Sequence, residues 1–287
     1  MEQAGKESPM SGKLQIRDVP WEEVDRYPDA LGELDGGQSI AAMIVRGVYT
    51  ADALQRVVER IERGEILVPG LPTPYFDGRI FGRILPRERP PLDAYFEGAR
   101  VFREASRALF DGIAEPFQER MERLFARVAG GRAIKVPVNA AGQPYQPWSM
   151  REVVPGGCID LHFECEAMNS PSMADLKTQI DRPHQLSCVL VLQAPEAGGE
   201  LSVYGLLGTD PRAEKLILQD RKSDAIYAAI EEMVPRQPFP LRTGDAVLFD
   251  AGRYFHRVTP VEGPRSRWTV GSFLALSRDR NAFYYYA

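Results

Sequence analysis

From Ile134 onward the chain is cut into short segments rich in branched and aromatic residues, separated by glycine, proline and aspartate. They run Ser149–Val154, Cys158–Cys165, Leu186–Gln193, Leu201–Tyr204, Ala246–Asp250, Tyr254–Val258 and Arg267–Ala275. One helical pattern interrupts them, from about Ser223 to Val234, with Ile226, Tyr227, Ile230, Met233 and Val234 on one side. Short strands in this number, without helices alternating between them, point to a sandwich or jelly-roll barrel.

The preceding residues have a different texture. An apolar run from Ile40 to Tyr49 reads as a strand, and Thr50 can cap a helix whose Leu54, Val57, Val58 and Ile61 follow helical spacing, stopping near Gly64. Between Pro69 and Pro91 lies a loop rich in proline, glycine and arginine, in which Tyr75, Ile80 and Phe81 are candidate wall residues of a substrate cleft, together with Tyr95. Two amphipathic helices follow: Val101, Phe102, Ala105, Ala108 and Leu109 mark one, and Phe117, Met121, Leu124, Phe125 and Val128 the other. Residues 1–38, polar and punctuated by glycine, are expected to form an arm lying on the domain or partly disordered. The expected fold class is α+β, with residues 39–287 as one domain: mostly helical support over 39–133 and a jelly-roll core over 134–287.

Charge and composition narrow the function. The chain has 287 residues, 44% of them apolar, with 35 basic residues against 40 acidic ones and a net charge of −5. No basic run can neutralise a phosphate backbone, so a nucleic-acid partner is not expected. No apolar stretch reaches the roughly 20 residues of a membrane helix, and Met1 to Asp18 carries no signal-like apolar region. A cytoplasmic enzyme acting on a small molecule is the expectation. Cys158, Cys165 and Cys188 form no CxxC pair and are read as small core hydrophobes.

Histidine is the scarce residue, since only His162, His184 and His256 exist in the chain. In a strand, His162 and Glu164 would share one face roughly 7 Å apart, an imidazole nitrogen and a carboxylate oxygen able to meet on one ion. Their apolar neighbours Leu161, Phe163 and Cys165 disfavour a sheet-surface ion pair. Roughly ninety residues later comes Gly244 to His256, a turn, an apolar strand, a second turn and a histidine, followed by Arg267 at the head of another strand. Two histidines and one carboxylate form a facial triad suited to ferrous iron, and a guanidinium can grip a carboxylate through two hydrogen bonds.

That order, His-x-Glu, then His, then Arg, resembles the iron(II)/2-oxoglutarate-dependent oxygenases. Within them the chain is most similar to the aliphatic halogenases of hapalindole and welwitindolinone biosynthesis, from about Ala42 onward. The likeness is carried by Met43 to Tyr49, Pro195 to Leu201, Gly244 to Val258 and Tyr284-Tyr285-Tyr286. The resemblance implies a double-stranded β-helix (cupin-like) barrel, with His162, Glu164 and His256 as metal ligands and Arg267 binding the far carboxylate of 2-oxoglutarate. It also implies Fe(II) as cofactor, 2-oxoglutarate and O2 as co-substrates, and a role in natural-product biosynthesis. Those halogenases have glycine where this chain has Glu164, leaving room for chloride on the metal. With the position filled, the expected outcome is hydroxylation of an unactivated carbon, with 2-oxoglutarate decarboxylated to succinate.

Other residues carry weaker expectations. Gln185 and Ser187 open a strand and could donate hydrogen bonds to 2-oxoglutarate or to groups around the metal. Arg265 shares a face with Arg267, but its place beside Pro264 suggests solvent exposure. His184, between Pro183 and Gln185, reads as a loop histidine bonded to solvent or backbone. Halogenation, desaturation, cyclisation or epimerisation on the same scaffold are the alternatives, with a non-catalytic jelly-roll binding module more remote. There is no G-x-S-x-G elbow, Walker loop, G-x-G-x-x-G turn or H-E-x-x-H helix.

Overall fold

The computed structural model describes residues 14–37, 40–65, 70–73, 76–212 and 224–287. Among them the strands are, in chain order, β1 Ile16–Pro20, β2 Ala42–Arg46, β3 Leu71–Pro72, β4 Gly78–Phe81, β5 Ala133–Lys135, β6 Ser149–Val153, β7 Ile159–His162 and β8 Leu186–Gln193. They continue as β9 Ala197–Gly198, β10 Leu201–Leu207, β11 Arg236–Phe239, β12 Ala246–Phe249, β13 Tyr254–Val258, β14 Val261–Glu262, β15 Arg267–Leu276 and β16 Ala282–Tyr286. The α-helices are α1 Ala30–Gly36, α2 Ala51–Glu62, α3 Asp93–Ala108, α4 Phe117–Val128, α5 Ala174–Gln179 and α6 Asp224–Met233.

A ten-stranded, mostly antiparallel sheet runs β1-β2-β12-β8-β15-β6-β4-β3, with β16 on β15 and β5 on β16. A second sheet of four strands, β11-β10-β13-β7, faces it. Along the large sheet, alternate side chains go to opposite faces. Met150, Leu190, Leu192, Trp268 and Val270 point outward and pack on Leu54, Val57, Phe102, Met121, Leu124 and Phe125 from α2, α3 and α4. Ile44, Val247 and Phe249 point inward and meet Leu201, Val203 and Val258 of the small sheet. Helix α6 covers the outer side of the small sheet through Ile226, Tyr227 and Ile230 against Leu161, Tyr204 and Phe255. Each large apolar side chain so buried contributes about 1.5–3 kcal/mol.

Local chemistry accounts for the element ends. Thr50 caps α2 as expected, its hydroxyl accepting from the Ala53 N–H at 3.3 Å. Gly244 turns into β12 with φ +93°, and a Cβ there would sit 2.2 Å from the Tyr49 carbonyl, so no other residue fits.

The N-terminal segment packs on the domain. From Leu14 onward it belongs to the fold: β1 runs parallel to β2, and Val19, Val24, Leu31 and Leu34 are buried in the outer core. Its first thirteen residues lie outside the described ones. Within residues 40–135, helices α2, α3 and α4 accompany strands β2, β3, β4 and β5, which join the large sheet. Among the described residues no helix is long and apolar enough to cross a membrane.

Candidate metal centre

Strands β7 and β13 pair antiparallel with His162 opposite His256, so the ladder itself brings the two imidazoles together, ring centroids 4.2 Å apart. His162 Nδ1 lies 2.6 Å from the Asp160 carbonyl oxygen, and His256 Nδ1 lies 3.0 Å from that of Tyr254. A carbonyl only accepts, so each Nδ1 carries the proton and each Nε2 keeps its lone pair for a metal.

Glu164 arrives by a route the strand period does not describe. The expected strand Cys158–Cys165 stops at His162, and Glu164 opens a 3-10 helix, Glu164–Asn169. Its N–H donates to the Ala251 carbonyl at 2.9 Å and its own carbonyl accepts from Gln185 Nε2 at 2.9 Å. Glu164 Oε1 then stands 3.5 Å from His162 Nε2 and 3.8 Å from His256 Nε2. One ligand atom from each residue lies within 4.8 Å of the others. Two neutral nitrogens and one carboxylate oxygen, all converging, fit a divalent first-row metal.

Electrostatics agree with that donor set. Burial opposes the charge on Glu164, but in the metal-free site His162 and His256, when they carry a proton on Nε2, outweigh it and hold the carboxyl well below the usual carboxylate range, and a metal cation would take the place of those protons. Burial, then neighbouring His162, pull His256 below the ordinary imidazole value, which favours its neutral, ligating form.

Arg267, at the head of β15, is buried at 4% exposure and has no side-chain hydrogen bond or ion pair among the described residues. Burial, with the charge of Arg151 second, pushes it down to about 10, still cationic at neutral pH. Arg265 instead lies half-exposed beside Glu196 at 3.7 Å. Arg151 was not singled out in the sequence. It stands opposite Thr269 on β6, on the same face as Arg267, and also lacks a side-chain partner among the described residues. Burial lowers its pKa while the charge of Glu164 opposes the change, so Arg151 lies within electrostatic reach of the cluster. Among the described residues these two guanidiniums on one sheet face have no acidic partner, an arrangement able to accept a dianion. No motif reveals Arg151, because its relation to Arg267 exists only through the β6–β15 register.

The remaining candidates separate. Gln185 is fully buried, its amide committed to Glu164 and to Tyr286, whose hydroxyl donates to Gln185 Oε1 at 2.7 Å. Ser187 is buried on β8 opposite Phe249 and Phe273, and its hydroxyl has no hydrogen-bond partner among the described residues. Tyr75 lies outside the described residues. Ile80 stands opposite Arg151 on β4 and packs with Phe76, Val153 and Ile159. Phe81, next along the strand, necessarily faces the other way and packs against Trp268 in the outer core, ring centroids 5.4 Å apart and tilted. Tyr95 is also core: 1% exposed, its hydroxyl donates to the Ala287 carbonyl and accepts from the Gln146 N–H. Phe81 and Tyr95 are thus both buried in apolar core clusters.

His184 departs from the expected solvent-facing loop residue. Its Nε2 lies 3.1 Å from Oδ1 of the fully buried Asp250, and its Nδ1 lies 3.6 Å from Cys165 Sγ. Burial pulls its pKa down, but Asp250 and Cys165 outweigh that and push it up to about 9. Of the cysteines, only Cys188 is fully buried. A cavity of about 1180 Å³ borders Phe163, Cys165, His184, Leu207, Arg253 and Tyr254. Neither the three ligands nor Arg267 line it, so its size says nothing about the substrate of the metal centre.

Comparison with known proteins supplies the family. No curated protein matches the sequence. Among solved structures, an N-substituted L-amino acid dioxygenase from Burkholderia ambifaria AMMD aligns with a TM-score of 0.59 at 16% identity, covering 90% of each chain. The structure of such an enzyme from the same organism in complex with alpha-KG aligns with a TM-score of 0.53, at the same identity and coverage. At that identity the likeness is one of fold, a jelly-roll scaffold. A family profile described as carrier-protein-independent halogenase WelO5 matches residues 15–287. By that match over nearly its whole length, the chain belongs to the WelO5 family and is an iron(II)/2-oxoglutarate-dependent oxygenase.

Proposed function

We propose that this protein hydroxylates an unactivated C–H bond of a small, apolar, secondary-metabolite-like molecule, with decarboxylation of 2-oxoglutarate to succinate. The observation that carries the reading is the placement of Glu164 Oε1, 3.5 and 3.8 Å from the two Nε2 atoms. With a third protein donor in the set, the position that glycine leaves open to chloride in the resembling halogenases is filled.

The residues divide the work. His162, Glu164 and His256 would hold Fe(II), which with O2 and 2-oxoglutarate supplies the oxidising power for C–H cleavage. Asp160 and Tyr254 carbonyls keep both imidazoles in the ligating tautomer. Arg267 binds the far carboxylate of 2-oxoglutarate in a fork of two hydrogen bonds, and Arg151 adds a second positive charge on the same sheet face. Ser187, whose hydroxyl has no partner among the described residues, would donate to the keto acid. Ile80, with Phe76, Val153 and Ile159, offers an apolar wall for the substrate and helps exclude water.

Anaerobic addition of Fe(II) and 2-oxoglutarate should produce the weak visible charge-transfer band of a chelated keto acid. Product masses from candidate natural products, with and without chloride, then give the outcome. Hydroxylated product and succinate support the reading; absence of both the band and succinate rejects it. A chlorinated product would instead establish halogenation, the second reading, which the family profile favours.

A further inference from the structure

Because β7 ends at His162, no strand ladder aims the carboxylate of Glu164. Its peptide is held from two sides instead. Ala251 accepts from its N–H, and Gln185 Nε2 donates to its carbonyl, each at 2.9 Å. Since that carbonyl can only accept, the amide NH2 of Gln185 must face it. Gln185 Oε1 then faces the other way, where the Tyr286 hydroxyl donates to it at 2.7 Å. Gln185 and Tyr286 are both fully buried, so neither has water as a substitute partner. Tyr286 is itself anchored: it pairs with Phe273 in the β15–β16 ladder, and its ring shares a core cluster with Phe273, Met173 and Met168. Met168 belongs to the same 3-10 helix that Glu164 opens.

We propose that Tyr286 and Gln185 are positioning residues for the metal centre, forming a two-bond chain that runs from β16 to the Glu164 peptide and fixes where its carboxylate points. This rests on reading His162, Glu164 and His256 as the iron site. Removing the Tyr286 hydroxyl leaves Gln185 Oε1 buried without a donor, and an amide in that position reorients to find one. The reorientation frees the Glu164 carbonyl and lets the first turn of the 3-10 helix rotate away from the histidines. Loss of such an outer hydrogen bond weakens metal binding by about tenfold to a hundredfold.

The test titrates the metal-free protein with cobalt(II), reading affinity and the d–d absorption spectrum, which reports coordination independently of turnover. Tyr286→Phe should lose about tenfold or more in affinity and change the cobalt spectrum. Gln185→Met, which removes both bonds at similar volume, should do the same and serves if Tyr286→Phe does not fold. Tyr285→Phe is the control, since that hydroxyl bonds Glu122 and Gln118 on the far side of the strand and should leave cobalt binding unchanged. Wild-type cobalt affinity and spectrum in the Tyr286 and Gln185 variants overturn the proposal, as does an equal loss in Tyr285→Phe. If the wild-type protein binds no cobalt, the reading of the cluster as a metal site fails first and the positioning role with it.

Discussion

His162 and His256 are direct cross-strand partners, and their rings lie 4.2 Å apart because the β7–β13 ladder registers them. The two nitrogen donors are therefore brought together by backbone pairing, while the carboxylate is added by a separate turn. Replacing either histidine with glutamine should keep the ladder, since the ladder bonds are main-chain, yet lower iron(II) affinity by about a hundredfold or more, beyond the effect of an outer hydrogen bond. Calorimetric or competition titration with iron(II) under anaerobic conditions checks this; unchanged affinity in His256→Gln would remove it from the ligand set.

Among the described residues Arg267 pairs with no acid, so its burial costs the apo protein stability that an anionic ligand recovers. Arg267→Met should leave the melting temperature unchanged or raised. The same substitution should weaken 2-oxoglutarate binding by about tenfold to a hundredfold, the loss of hydrogen bonds to a charged group. Arg267→Lys should recover only part of the binding, because a point charge cannot reproduce the bidentate fork. Thermal melts with and without 2-oxoglutarate separate the two effects, and an Arg267→Met protein that binds the keto acid normally would exclude the assignment.

Gly252 is needed for close approach. A Cβ there would sit 2.6 Å from the Gln185 carbonyl oxygen, 2.8 Å from Cys165 Sγ and 2.9 Å from His184 Nδ1. Gly252→Ala should destabilise the protein by about 1–3 kcal/mol through overpacking. It should also weaken metal binding, because Glu164 hangs from the adjacent Ala251 carbonyl. A melting temperature equal to that of the wild type would show that the loop gives way freely.

The His184–Asp250 pair gives stability a pH signature. Folding raises the His184 pKa from 6.5 to about 9. Its contribution is therefore complete below pH 6.5 and is lost as pH rises through about 9. The size is on the order of 3 kcal/mol. The groups facing the imidazole are Asp250 and Cys165, and Arg253 shares the Asp250 carboxylate. Melting curves of the wild type should fall between pH 6.5 and 9 more steeply than those of His184→Gln; parallel curves would refute the pairing.

Features set at short sequence range were legible: the His162-x-Glu164 pair, His256 after its turn, Arg267 heading its strand, and the Thr50 cap. Periodicity placed β8 and β13 at their observed ends. It misplaced Glu164 onto a strand, because a 3-10 turn of six residues has too little length to leave a periodic pattern. Phe81 and Tyr95 look like cleft residues from composition alone. Which face an aromatic side chain occupies depends on what packs against its strand or helix.

Taken by itself, the amino-acid order determined the donor types, their sequence in the chain and the strand-rich half that carries them, because side-chain chemistry and local backbone preference act over a few residues. Tertiary structure alone decided that Arg151 stands beside Arg267, that His184 meets Asp250, and that Tyr286 reaches Gln185 from 101 residues away. Those contacts arise from sheet register and the facing of two sheets. Register is set by the simultaneous burial of many apolar side chains, a cooperative property that no single segment encodes.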